Sequence, residues 1–312
     1  MISMKITKEN LDYSKLIKLY EKNKNIQLYL KKNSNLKDSE IIKISYDIQS
    51  GAYVNKYFNK FFNKQQKIYL PFIKAINEFK NIKSILDFGA GEMTNLSFFI
   101  KNLSQKIKFY ASDISFNRLY IGKQFLQKQL KKEQFKRVKY ICNPHLFIPL
   151  KSNSIDLVIT MHALEPNNKY KKKILSEILR VSNKGAILME PHYENANKKI
   201  KKRMRKFNYV RNLEKTIKSL GFDLKIIKNL YNGTQHNNSS LFIISKKVKK
   251  KNKTDYIDFE SMKPLKKIDN FYVSYNSKEI YPILSDIFVL KNKEKMYLPK
   301  IQDTKYKNYF KN

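Results

Sequence analysis

The sequence holds one cysteine, Cys142, in 312 residues. That excludes an intramolecular disulfide and any zinc cage built from cysteines, and Cys142 reads as a small, buried strand residue. Long apolar runs are missing as well. Nothing approaches the roughly 18 consecutive apolar residues of a bilayer span, and the opening MISMKITKENLDYSKL has no apolar block of the secretory kind. No membrane span is therefore expected, and the protein is expected to be cytoplasmic. Arginine is scarce: the formal net charge of +38 is overwhelmingly lysine. Clustered cations bind nucleic acid by releasing counterions, but bidentate phosphate and base recognition favours arginine. The lysines are also spread through the whole chain with asparagine and isoleucine, the mixture an AT-rich coding bias produces. A solvated basic surface is the favoured reading, and nucleic-acid binding the lesser one.

With 42% hydrophobic and 13% aromatic residues, the chain has ample material for a packed core. Residues 1–80 show helical spacing, first in a lysine-rich stretch (Leu11, Leu16, Ile17, Tyr20) and then from about 41 (Tyr53, Tyr57, Phe61, Phe62, Tyr69, Phe72, Ile73, Ile76), where two helices are expected. From Ile82 to residue 247, short apolar runs alternate with amphipathic stretches, which predicts an α/β domain of Rossmann-like type with a parallel sheet. Seven strands are expected, at 84–88, 107–112, 137–142, 155–160, 185–190, 222–230 and 240–246, with helices near 93–104, 116–132, 168–182 and 197–219. Such a fold binds ligand outside the carboxyl ends of its strands. The run KKVKKKNKTD predicts a solvated linker over 248–255, and residues 256–312 form a small, aromatic, β-rich module.

The stretch SILDFGAGEMT (84–94) places Gly89 and Gly91 directly after the first strand. Glycine there lets backbone meet a ligand that any side chain would push away. Asp113 closes the second strand 22 residues after Gly91, near the spacing at which an acid receives two ribose hydroxyls. Asp87 and Glu92 flank the glycines; they would repel a pyrophosphate but suit a ligand carrying an amino group and a sulfonium.

These segments resemble the class I S-adenosylmethionine-dependent methyltransferases over roughly residues 44–247. LDFGAGEMT matches the glycine-rich motif with Met93 in place of a third glycine, ASDIS the acidic motif, SIDLVITMHALEP the fourth-strand motif, and VSNKGAILMEPHYENA the fifth. The resemblance implies S-adenosyl-L-methionine as cofactor, held by Asp87, Gly89, Gly91, Glu92, Asp113, Ile114 and Met161. The third motif departs from the pattern: ICNPHLFIPL lacks the acid that holds the adenine amine, which leaves Asn143 as acceptor and His145 to stack or bond nearby.

Methyl transfer demands alignment and, for a hydroxyl, a base. His162 is the first candidate because its ordinary pKa is near neutrality; Glu190 with His192 is a second, as a dyad requiring a turn at Pro191. Glu165 and Tyr193 are expected beside the substrate. Arg203 and Arg211, in a stretch holding three of the few arginines, are expected to hold a substrate phosphate or carboxylate. SYDIQSGAYV (45–54) resembles the lid of relatives with small substrates, through Tyr46, Gln49 and Tyr53. The tail resembles the zinc-ribbon activator subunit of several methyltransferases, anchored on Pro264-Leu265 and Tyr281-Pro282-Ile283; its four ligand positions fall on Asp258, Ser261, Ser274 and Ser277, so no metal is expected there. Aromatic packing by Phe271, Tyr272, Tyr281 and Phe288 is expected to replace it.

The favoured function is methyl transfer to oxygen or nitrogen of a small molecule or carrier-linked glycan precursor. A tRNA or rRNA methyltransferase and a non-catalytic adenosine-ligand scaffold are the alternatives.

Overall fold

The computed structural model describes residues 5–57, 62–230, 238–290 and 296–297. Three helices open the chain: α1 (Tyr13–Glu21), α2 (Ile26–Asn33) and α3 (Asp38–Ile48). Asp12 and Asn25 start the first two by accepting the N–H of Lys15 and Leu28, and Leu16, Ile26, Leu30, Ile41 and Ile44 pack into their shared core. A short α4 (Ala52–Lys56) and a long α5 (Phe62–Asn77) follow; with α3 they make three helices among the described residues of a region where two were expected, and Phe61 lies outside those residues.

The central body alternates β1 (Ser84–Phe88), α6 (Thr94–Asn102), β2 (Lys108–Asp113), α7 (Phe116–Gln129), α8 (Lys132–Phe135), β3 (Val138–Cys142), β4 (Ile155–Met161), α9 (Lys171–Val181), β5 (Ser182–Pro191), α10 (Lys198–Lys206), α11 (Leu213–Ser219), β6 (Asp223–Leu230) and β7 (Ser239–Ser245). The sheet order is β6-β7-β5-β4-β1-β2-β3. Strands β5, β4, β1, β2 and β3 are parallel, whereas β7 runs antiparallel between β5 and β6. Strand order reverses between β1 and β4, and this sets the ligand crevice at their carboxyl ends. Cys142 is fully buried in β3.

The helix expected over 197–219 is two helices. Asn208 and Asn212 both take left-handed backbone (φ 52° and 54°), a conformation asparagine tolerates well. Between them Val210 enters the core and donates its N–H to the Glu165 carbonyl. The amphipathic pattern runs straight through this interruption, which is why periodicity misses it.

The stretch expected to be a solvated linker has no regular secondary structure and is mostly exposed, and it is also tied to the start of β4. Asp156, at the start of β4, is 3% exposed and accepts the N–H groups of Lys83 and Ser84. Lys251 reaches it at 2.7 Å, while Asn252 and Thr254 bond to the backbone of Asn153 and Ser154. A buried carboxylate needs a cation, and this lysine run supplies one.

The C-terminal strands are β8 (Lys266–Ile268), β9 (Phe271–Ser274), β10 (Glu279–Leu284), β11 (Ile287–Val289) and β12 (Met296–Tyr297). They continue the central sheet, because β11 pairs in parallel with β3, Phe288 opposite Ile141. Tyr256, Tyr272 and Phe288 pack ring against ring at 4.6–4.8 Å. Asp258 is wholly buried. Its Oδ1 accepts the N–H of Glu260 (2.8 Å) and Ser261 (2.6 Å), and its Oδ2 lies 2.7 Å from the Ser277 hydroxyl and 3.2 Å from that of Tyr281. Ser274 accepts the N–H of Ser277 and, with Ser261, directs its hydroxyl at the same carboxylate. The three serine positions aligned with ribbon ligands thus surround the fourth, Asp258. Among the described residues, no group of three or more His, Cys, Asp or Glu side chains is placed to hold a metal.

Candidate active site

A cavity of about 590 Å³ opens at the carboxyl ends of β1, β2, β4 and β5, within the size range of small-molecule sites. Gly89 lines it and Gly91 is buried in the same loop, with φ of 76° and 54°. A Cβ on Gly89 would come within 2.4 Å of the Ala163 Cβ, and one on Gly91 within 2.4 Å of Arg118 Nη2. Asp113 is fixed beside them: its Oδ2 accepts the Gly91 N–H at 2.9 Å and its Oδ1 the Ser115 N–H at 2.8 Å. Met93 adopts left-handed backbone at the start of α6, as the glycine it replaces would.

Glu92 lines the cavity, with its carboxylate already engaged. Its two carboxylate oxygens accept the N–H of Gly51 (3.0 Å) and Val54 (2.8 Å), so the acid of the glycine loop caps α4 and fastens the lid. Tyr46 and Tyr53 line the cavity from that lid; Gln49 is not among the lining residues. Between the two tyrosine rings, each 5.0 Å away, sits the Arg118 guanidinium. Arg118 is 9% exposed. Burial alone would lower its pKa, but Asp113, Tyr53, Tyr46 and Glu92 outweigh that and keep it charged. Sequence reasoning missed this residue. The available signal was an arginine one turn into a helix that follows the ribose-type acid.

Asp87 lies just before the glycine loop, 5% exposed, and burial together with the charge of Asp113 pushes its carboxyl up to about 7. Ile114, Asn143, His145 and Met161 all line the cavity. Asn143 is heavily engaged: its Oδ1 accepts the Ser112 hydroxyl, and its amide donates to the carbonyls of Pro144 and Phe147. His145 is the contrast. It is 7% exposed, neither ring nitrogen has a hydrogen-bond partner, and burial, with Lys173 adding to it, lowers its pKa to about 4. Asn167 Oδ1 and Arg118 Nε are likewise buried without a hydrogen bond.

His162 stands at the end of β4 in left-handed backbone (φ 59°), a strained state for a non-glycine residue. Its Nδ1 is 2.7 Å from Glu165 Oε2, and its Nε2 is 3.4 Å from the Ser239 hydroxyl. Burial alone would depress its pKa; the hydrogen bond and charge of Glu165 override this and raise it. Glu190 and His192 form no dyad. Glu190 is wholly buried, its Oε1 accepting the Thr160 hydroxyl and the Leu164 N–H, and burial pushes it up to about 7. His192 instead places Nδ1 2.8 Å from the Ser240 hydroxyl and its ring against Phe242. Glu190 therefore braces the turn that presents His162. Tyr193, Arg203 and Arg211, expected beside the substrate, are not among the lining residues; Tyr209, which Arg203 stands over, connects that arginine to Glu165.

Residues 86–189 match the family model described as a methyltransferase domain. That stretch, a third of the chain, is a methyltransferase domain. This methyltransferase domain is similar to several solved structures at low identity. One is a SAM-dependent methyltransferase from Aquifex aeolicus: 16% identity, 60% of this chain and 96% of that one covered, TM-score 0.41. Another is the magnesium protoporphyrin IX methyltransferase of Synechocystis PCC 6803 with bound SAH: 13% identity, 68% and 100% covered, TM-score 0.49. A third is phosphoethanolamine N-methyltransferase 2 of Haemonchus contortus: 17% identity, 58% and 52% covered, TM-score 0.45. No curated protein matches the sequence. Among the described residues, no helix is long and apolar enough to cross a membrane.

Proposed function

We propose that this chain methylates an oxygen or nitrogen of a small molecule or carrier-linked glycan precursor, with His162 as the base. The observation that carries the reading is the His162–Glu165 pair lining the same cavity as Gly89 and Asp113. S-adenosylmethionine fits the donors present. Asp113 would take the ribose hydroxyls. Neutral His145, with both nitrogens unpartnered, would accept the adenine amine in place of the missing acid, since Asn143 already serves its own loop. Asp113 supplies the negative potential that a cationic ligand requires, and Asp87, its carboxyl pushed up to about 7, adds to it only when ionised.

When bound, the cofactor supplies a methyl group on an electrophilic sulfonium. The protein's part is alignment and proton handling. Glu165 accepts the Nδ1 proton of His162, which leaves Nε2 as the basic nitrogen; Nε2 takes the acceptor's proton, and Glu165 then stabilises the imidazolium. The strained His162 backbone is held by the Glu190–Leu164 hydrogen bond and by the His162 N–H to the Met189 carbonyl.

The raised His162 pKa fixes the sign of the pH dependence. A base works in its neutral form, so turnover should climb with pH through a value above the ordinary 6.5. In Glu165→Gln the limb should move to lower pH and kcat fall by roughly 100-fold, with S-adenosylhomocysteine affinity measured by calorimetry kept. An unshifted limb removes His162 from the reaction. Absence of any S-adenosylhomocysteine binding to the wild-type protein defeats the whole reading.

A further inference from the structure

In a lysine-dominated chain, arginines mark where planar, multi-donor geometry is in use. Three of the six arginines have defined posts in the body of the fold. Arg118 lies in the cavity, Arg137 donates to the carbonyls of Ile100, Ser104 and Ile107, and Arg180 donates to those of Ile148 and Leu150. The other three, Arg203, Arg205 and Arg211, gather around aromatic faces on the rim. Arg203 stands over Phe207 (5.2 Å) and Tyr209 (5.4 Å). Arg205 donates to the Tyr193 hydroxyl at 2.8 Å, and Arg211 and Lys201 lie over the same ring at 5.9 and 5.7 Å. Stacking occupies the face of a guanidinium and orients its edge, where the donors are. In α10 seven of nine residues are lysine or arginine and none is acidic.

This rim adjoins the chemistry. The Tyr209 hydroxyl bonds to both Glu165 and Arg203, Val210 donates to the Glu165 carbonyl, and the Arg211 N–H donates to Asn168 Oδ1. Glu165 and Asn167 line the cavity itself. Crowded cations beside a pocket mouth repel one another unless an anion joins them.

We infer that the rim formed by Tyr193, Lys201, Arg203, Arg205 and Arg211 is a phosphate-binding subsite, and that the methyl acceptor carries a phosphate or pyrophosphate. The inference rests on the methyl-transfer reading and names its substrate class. Ordered guanidinium forks match phosphate oxygens in pairs, while the flanking lysines add unoriented charge. A nucleotide-linked acceptor and a lipid-linked one present the same group.

Calorimetry with inorganic pyrophosphate at low salt tests this on the full chain, using the Arg205→Gln/Arg211→Gln double variant. The wild type should bind pyrophosphate, and the variant should bind it roughly tenfold or more weakly, with S-adenosylhomocysteine affinity unchanged as the control for folding. Co-sedimentation with phosphatidic acid vesicles but not phosphatidylcholine vesicles, lost in the variant, identifies a lipid-linked source. Pyrophosphate binding without vesicle binding identifies a free one. Equal pyrophosphate affinity in both proteins, or none in the wild type, overturns the inference. So does binding of a single-stranded RNA oligonucleotide, steeply salt-dependent and lost in the variant, where pyrophosphate has no effect. If S-adenosylhomocysteine fails to bind the wild type, the methyl-transfer reading falls, whatever pyrophosphate does.

Discussion

Asp258→Ala is expected to destabilise the protein by about 4 kcal/mol and lower its Tm by roughly 10 °C. The variant strips the acceptor from the Glu260 and Ser261 N–H groups, in the turn before β8, and leaves the hydroxyls of Ser277 and Tyr281 with Glu279 as their remaining acceptor. Each buried donor left without a partner costs about 1–3 kcal/mol. The effect also has a pH signature. Burial alone would raise the Asp258 pKa, but its donors outweigh that and hold it below the ordinary 3.8. A depressed carboxylate stabilises the fold fully above its unfolded pKa and loses that contribution as pH falls through the folded value. The difference in Tm between wild type and variant should therefore be largest near neutrality and shrink in strong acid. Thermal melts at several pH values read this directly; a variant melting with the wild type throughout would show the carboxylate to be idle.

Asp113→Ala should weaken S-adenosylhomocysteine binding about 100-fold. Two contributions add. The proposed ribose contacts, as hydrogen bonds to a charged group, contribute about 1.5–3 kcal/mol each, and loss of one such pair corresponds to roughly that factor. Asp113 also pins the Gly91 N–H and the Ser115 N–H, so the glycine loop and the start of α7 lose their common anchor. Asp113→Asn should recover part of the affinity, because an amide oxygen still accepts one of these N–H groups. Calorimetry on the three proteins separates the cases: equal affinities would place the nucleoside elsewhere.

The parallel strands and the glycine loop were legible because their signals are local. Short, almost continuously buried apolar runs in SILDF, KFYASD and IDLVITM and the two glycines after β1 need no tertiary knowledge. Direction of a side chain is another matter. Glu92 sits in the cofactor motif, yet its partners are N–H groups some forty residues earlier in the chain, and no spacing rule connects them. Glu190 and His192 are separated by one residue but belong to different networks, one reaching back to β4 and the other across to β7. Arg118 stayed hidden because a lone cation in an amphipathic helix reads as surface. The lysine-rich run at 246–253 reads as a linker for the same reason: composition reports charge, and the buried Asp156 that attracts Lys251 lies 95 residues away.

The pairing of β11 with β3 sets a timetable for the chain. Ile141 finds its neighbour in Phe288, 147 residues later, so during synthesis the nucleoside half waits, one margin of its backbone unsatisfied, until β11 emerges. A fragment ending before residue 256 would keep that margin permanently open. Such an uncovered strand offers itself to any other extended peptide, and clumping rather than a smaller working enzyme is the expected fate of the shortened protein.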